Sequence, residues 1–191
     1  RFSHISVRNT FSQAIISQVI GKDVPVVADP TLLADLADVQ ARVSLPWSEY
    51  VLTYSLGGEI QGGTAAVLNA IRRHVGELPV VAVIASAHEP QRAPWADLRI
   101  GEAGPAEWLY LLAHAAFVYT DSFHAVLFSL VTKRNFLGYW AEAHRAPRLL
   151  DLAARYHVQG RVVGSVAEAQ DKLKEPFEID HSLDAIRSHV G

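Results

Sequence analysis

Three observations predict an α/β fold, a mainly parallel and doubly wound sheet. Short apolar runs rich in β-formers alternate with segments of helical spacing along most of the chain. That alternation is the pattern of strands carried back in parallel by helices. Ala116–Tyr119, the corner Thr120-Asp121-Ser122 and the run from Phe123 to Leu130 read as a buried strand, a turn and a helix in direct succession. Hydrophobic residues make up 50% of the 191 positions, enough for one sizeable core or one and a half such domains.

Taken in order, Phe2–Val7 alternates and meets Arg8, Asn9 and Thr10, a strand running into a corner. Phe11–Ile20 reads as a short amphipathic helix stopped by Gly21, and Val24–Ala28 as a second strand broken by Asp29-Pro30. Leu33–Pro46 has no clear period beyond a helical turn or two and is the linker candidate. Then Tyr50–Tyr54 is a strand, Ser55–Gly63 a glycine-rich loop, and Thr64–Val75 a helix with apolar Ala65, Leu68 and Ile71. Pro79–Ile84 is a buried strand, Leu98–Ile100 a short one, and Pro105–Ala115 a helix opening on proline, as helices favour. After the central strand, corner and helix come a strand at Asn135–Trp140 and helices at Arg148–Tyr156, Val166–Lys174 and Leu183–Val190. The opening on Arg1 inside a strand-like run, with no methionine anywhere, leads us to expect a start partway through a longer protein.

The corner after Tyr119 is the focal stretch. Thr120, Asp121 and Ser122 are residue types whose side-chain oxygens cap helix N-termini. Phe123, Val126, Leu127, Leu130 and Val131 then form one buried stripe, with His124 on its flank in the first turn. A strand-to-helix corner lies at the carboxyl edge of a parallel sheet, where α/β folds bind ligands and anions above all. Position alone leaves His124 between two readings, a helix-start histidine bonded to a carbonyl and a functional group.

Several function classes drop out on composition. The chain carries 17 basic and 20 acidic residues spread along its length, a net charge of −3, which argues against a nucleic-acid surface. No apolar run approaches a membrane span, which leaves peripheral association at a membrane as the compatible mode. Without cysteine there are no disulfides and no thiolate chemistry, and a reducing, cytoplasmic setting is expected. The nine histidines show no metal-ligand spacing, so no metal is expected. No serine sits in a G-x-S-x-G elbow.

Other candidates are weaker one by one. Ser55, Gly57 and Gly58 open a glycine-rich loop between a strand and a helix, the context for phosphate or ribose contact or for a plain flexible turn. The loop is not a P-loop, since no lysine precedes Thr64, and it lacks the dinucleotide fingerprint. Arg8 ends a strand at a corner, where a guanidinium fork suits carboxylate or phosphate oxygens. Arg145 and Arg148, with His144 and Pro147, open a helix near the same edge as His124, either as anion ligands or as a solvated helix start. Trp47, Trp95, Trp108 and Trp140 are scattered and read as core or interface, and His74, His157, His181 and His189 as surface.

The order of segments resembles the polysaccharide pyruvyl transferase family, whose members move a pyruvyl group from phosphoenolpyruvate to a sugar. The matching stretches are Ile5-Ser6-Val7-Arg8, Asp29-Pro30-Thr31-Leu32-Leu33, Tyr50-Val51-Leu52-Thr53-Tyr54 and Thr120-Asp121-Ser122-Phe123-His124. Looser matches are Trp108-Leu109-Tyr110-Leu111-Leu112 and Arg148-Leu149-Leu150-Asp151-Leu152, so the resemblance runs to about residue 163. Ala125 stands where the family usually has glycine, and Ala146-Pro147 where it often has Ser-Ser. The resemblance implies a GT-B-like, Rossmann-like fold. Residues 1–33 would end a first domain, 34–44 link, 45–181 form the second domain, and 182–191 cross back as a helix.

The resemblance also implies the chemistry. Phosphoenolpyruvate, the donor, carries two anionic groups, and making a pyruvyl ketal needs a proton at its methylene. Histidine suits that titration. His124 would contact the phosphate and act as general acid, while Arg8 and then Arg148 neutralise the carboxylate or phosphate. Amides after Asp121 would hold an anionic group, and Asp121 itself would cap before it would catalyse. Asp121, Ser122, Arg145, Arg148, Ser55, Gly57 and Gly58 make up the substrate-binding set, with no cofactor expected. The acceptor would be a sugar or a lipid-linked oligosaccharide in exopolysaccharide or cell-surface glycan synthesis. Two rivals stay open, a nucleotide-sugar glycosyltransferase using Glu102 or Glu107 for ribose, and a non-catalytic module of the same fold.

Overall fold

Six parallel strands form one sheet in the computed structural model, which describes residues 2–33, 42–85 and 93–176. The strands are β1 (Val51–Ser55), β2 (Val80–Ile84), β3 (Leu98–Ile100), β4 (Phe117–Thr120), β5 (Asn135–Tyr139) and β6 (Val162–Val163). They lie in the order β3-β2-β1-β4-β5-β6, every neighbouring pair parallel. The order reverses at the central β1–β4 pair, where Val51 faces Phe117 and Tyr54 faces Thr120. Crevices at such a switch point, outside the carboxyl ends of the strands, are where open α/β sheets take ligands.

Helices cover both faces because the strands are apolar on both. Helices α2 (Thr64–Val75) and α6 (Val166–Lys172) pack on the side carrying Val51, Val80, Phe117, Tyr119, Leu137 and Tyr139. Helices α3 (Pro105–His114), α4 (Phe123–Val131) and α5 (Ala146–Arg155) pack on the side carrying Leu52, Val81, Val83, Val118 and Phe136. The expected elements fall within a residue or two of these bounds, with β6 the strand the pattern had not separated. At α4 the expected stripe is wider, since Ala125 and Ser129 are buried along with Phe123, Val126, Leu127 and Leu130, while Val131 is only partly covered. A helix apolar on most sides is one enclosed by its neighbours.

The first 33 residues differ more from expectation. Helix α1 (Thr10–Ile20) forms, capped by Asn9 and ended by Gly21 at φ 65°. The two flanking strands reduce to one parallel bridge, Val7 to Val26, held by Val7 N–H to the Pro25 carbonyl and Val27 N–H to the Val7 carbonyl. With only each other to pair with among the described residues, they cannot build a sheet. No side chain of α1 is buried, and Phe11, Ile15 and Val19 stand exposed. The linker expected at 34–44 falls mostly outside the described residues, and the helix expected at Leu183–Val190 wholly so. No helix among the described residues is long and apolar enough to cross a membrane.

Candidate functional site

The N-terminal segment docks at the carboxyl rim of the sheet. Asp151 of α5 accepts from the Thr10 amide and hydroxyl at 3.2 and 2.5 Å, and Arg155 reaches the Val27 carbonyl at 3.2 Å. This anchoring carries Arg8 to His124, with Nη1 to Nε2 at 3.5 Å, although 116 residues separate them. Arg8 also pairs with the buried carboxylate of Asp29 at 2.5 Å, and His124 Nε2 lies 3.7 Å from the same oxygen. Burial pushes the Asp29 carboxyl up, but the Thr31 amide and hydroxyl and the Arg8 guanidinium outweigh it and hold the group below its usual range.

Phe123 is the floor of this cluster. The guanidinium carbons of Arg8 and Arg148 sit 5.5 and 5.6 Å from its ring centre, and the His124 ring meets it edge-on at 5.5 Å. Arg148 has no carboxylate partner among the described residues. Burial, with the like charges of Arg145 and Arg8, lowers its pKa from the usual arginine value. His124 remains 47% exposed at its side chain, so it faces open space rather than aliphatic packing.

Sequence expectation and structure part at Asp121. The helix cap is Ser122, whose hydroxyl accepts from the Ala125 amide, and no acceptor for the Phe123 or His124 amide appears among the described residues. Asp121 is instead buried and turned to the glycine-rich loop. It accepts from the amides of Leu56 at 2.6 Å and Gly57 at 2.7 Å, and from Arg145 at 2.9 Å. A bulkier residue at Gly57 would push on this knot, since a Cβ there would lie 2.9 Å from both Asp121 and Arg145. Asp121 lacks a free oxygen for a ligand, and Arg145 is largely committed to it.

The structure therefore sorts the expected residues into groups. His124, Arg8 and Arg148 come together, and Ser122 lines a cavity beside His124 with Tyr54 and Trp108. Asp121, Arg145 and Gly57 form the knot behind them. Ser55 and Gly58 line a separate cavity on the α2 side of the sheet. His144 is exposed and pairs with Glu142. Among the described residues no cluster of three or more metal-ligating side chains occurs. Asp29 was the functional candidate that sequence reasoning passed over. An aspartate before Pro-Thr after a short strand signals a carboxylate fixed in its own turn, and Asp29 does accept from Thr31 at 3.0 and 2.8 Å.

Solved structures share this architecture at low identity, which establishes the fold alone. The UDP-GlcNAc 2-epimerase of Methanocaldococcus jannaschii, in complex with UDP-GlcNAc and UDP, superposes with TM-score 0.60 at 11% identity over 97% of this chain. The UGT89C1 of Arabidopsis thaliana, complexed with UDP-L-rhamnose, gives 0.53 at 12% identity over 98%. The UDP-GlcNAc 2-epimerase of Neisseria meningitidis, bound to UDP-GlcNAc, gives 0.51 at 13% identity over 90%. This chain spans only 60%, 53% and 51% of those proteins respectively. A comparison with curated proteins finds no match. Fold and rim geometry leave the lineage to be decided by sequence, and there the family model described as polysaccharide pyruvyl transferase matches residues 1–141. The chain belongs to the polysaccharide pyruvyl transferase family.

Proposed function

We propose that this chain carries the donor-binding cluster of an enzyme that transfers a pyruvyl group from phosphoenolpyruvate to a sugar, forming a pyruvate ketal in surface-glycan synthesis. The observation that carries the reading is the cluster of Arg8, Arg148 and His124 around Phe123, with Arg148 lacking an acidic partner among the described residues. A cation that contacts no carboxylate directly, beside two others, is suited to a ligand with two anionic groups.

The step balances as follows. The methylene carbon of phosphoenolpyruvate takes a proton from His124 and becomes the methyl group. One sugar hydroxyl adds to the adjacent carbon, and phosphate leaves with the carbon–oxygen bonding electrons. A second hydroxyl closes the ketal. Of the two hydroxyl protons released, one restores His124 and the other leaves with phosphate. Arg8 and Arg148 hold the carboxylate and phosphate, and free amides in the first turn of α4 favour negative charge there.

The test is transfer from phosphoenolpyruvate by the full-length protein. We expect His124→Ala to lower kcat by at least 100-fold, on the order of what a general acid contributes, and Arg8→Ala to raise KM. Near wild-type turnover in both variants would overturn the assignment. Thermal stabilisation by a nucleoside diphosphate but not by phosphoenolpyruvate would favour a nucleotide-sugar enzyme instead.

A further inference from the structure

The glycine-rich loop opens a second cavity that the anion cluster does not use. It has a volume of about 240 Å³ and lies on the α2 side of the sheet, between the carboxyl ends of β1 and β2. Thr53 and Ser55 reach this side because alternate residues of β1 share a face. Thr53 is 1% exposed, and its hydroxyl has no hydrogen-bond partner among the described residues. The indole N–H of Trp95, which also lines the cavity, likewise has no hydrogen-bond partner among the described residues. Buried hydroxyl and N–H groups are rarely left unpaired, so two beside one cavity point to a polar occupant.

The rest of the lining restricts what that occupant is. A phosphate fits poorly. The Leu56 and Gly57 amides already donate to Asp121, the Thr64 amide at the start of α2 donates to Glu59 at 3.1 Å, and no cation lines the cavity among the described residues. What remains is one carboxylate, Glu59, the hydroxyl-bearing side chains of Thr53, Ser55, Thr64 and Tyr139, and apolar surface that includes Ile84 and Trp95. Tyr139 donates to Ser55 at 3.0 Å, which leaves the Ser55 hydrogen free to point at a ligand. An aromatic wall with a carboxylate and hydroxyls matches a neutral ring that is apolar on its faces and hydroxylated at its edge. The volume falls below the roughly 300–1,000 Å³ of pockets for larger ligands, so one ring fits.

We propose that this cavity binds a single uncharged pyranose ring of the glycan acceptor, with Glu59 accepting from ring hydroxyls and Trp95 covering one face. Identifying the ring with the acceptor rests on the transferase reading above. The placement agrees with that reading, because Val83 and Ile84 at the end of β2 line both this cavity and the one beside His124.

The experiment is calorimetric titration of the chain with methyl galactoside, methyl glucoside and methyl mannoside, and separately with uridine, inorganic phosphate and phosphoenolpyruvate. We expect at least one glycoside to bind, and Glu59→Gln and Trp95→Ala each to weaken it at least tenfold while phosphoenolpyruvate binding is unchanged. Thr53→Val, which keeps shape and removes only the hydroxyl, guards against a folding artefact and should weaken the glycoside too. No glycoside binding, glycoside binding indifferent to all three changes, or tighter binding of uridine or phosphate at this cavity would each overturn the proposal. Glycoside binding without phosphoenolpyruvate binding would sustain the pyranose site and sink the transferase reading.

Discussion

Nη1 of Arg8 stands 2.5 Å from Oδ2 of Asp29, and Nε2 of His124 stands 3.7 Å from that same oxygen. One buried carboxylate thus holds two chain segments together and sets the position of both expected ligand-facing groups. A carboxyl whose folded pKa lies below its unfolded value binds fewer protons folded than unfolded, so it stabilises above the unfolded value. That stability is lost as pH falls through the lowered folded value. Melting midpoints measured from pH 6 down to pH 3 should therefore drop more steeply in the wild type than in Asp29→Asn. The difference should be on the order of 1 kcal/mol, because Arg8 is 42% exposed and solvent screens the pair.

Arg148 should behave as a binding group that costs the free protein something. Burial and the like charges of Arg145 and Arg8 disfavour its guanidinium, and the Asp121 carboxylate offsets them only in part. Arg148→Met is expected to leave the melting temperature unchanged or slightly raised. In the full-length enzyme it should raise KM for phosphoenolpyruvate by roughly 10- to 100-fold, the loss of a charge-assisted hydrogen bond of about 1.5–3 kcal/mol. Unfolding curves and steady-state kinetics on the same variant check both halves.

Asp121 should matter most for stability. Its removal leaves the Leu56 and Gly57 amides and Arg145 without their acceptor. Asp121→Ala is expected to cost about 3–5 kcal/mol, as when a buried pair loses one partner. Arg145→Met should cost less, since Arg145 is 26% exposed and its loss still leaves Asp121 two backbone donors. Urea denaturation of both variants gives the comparison.

Two glycines make a matched pair. Gly21 adopts φ 65° with nothing within 4 Å of an added Cβ, whereas Gly62 adopts φ 98° with Val166 Cγ2 at 2.6 Å. Gly21→Ala should cost only backbone strain, about 1–2 kcal/mol. Gly62→Ala adds a clash of about 1–3 kcal/mol and should disturb the Gln61 to Ser165 bridge beside it. Equal unfolding midpoints in the two variants would contradict this account.

Much of the fold was legible locally. Pro105 at the start of α3, Gly21 at the end of α1 and the apolar runs at β1, β2 and β4 each mark an element by a property of a few adjacent residues. The flanking strands of α1 were overread, because alternation marks a strand's faces but says nothing about whether partners exist. At the site, the spacing placed His124 in the first turn of α4, where it lies. Of the three capping residue types named there, Ser122 is the cap while Asp121, given the capping role, is not. Asp121 and Ser122 are both good capping residues, and only the loop brought over from β1 turned Asp121 away from the helix.

By itself the sequence determined the α/β class, the place of nearly every helix and strand, and the concentration of polar residues at strand ends. Local periodicity reports which side chains face a core, and that is enough for elements. Only the tertiary structure decided that Arg8, Asp29, His124 and Arg148 share one face of the rim, while Ser55, Gly58 and Thr53 line a cavity on the other. The reason is that strand order and the direction of each β1 side chain depend on long-range pairing, which the spacing of residues along the chain does not encode.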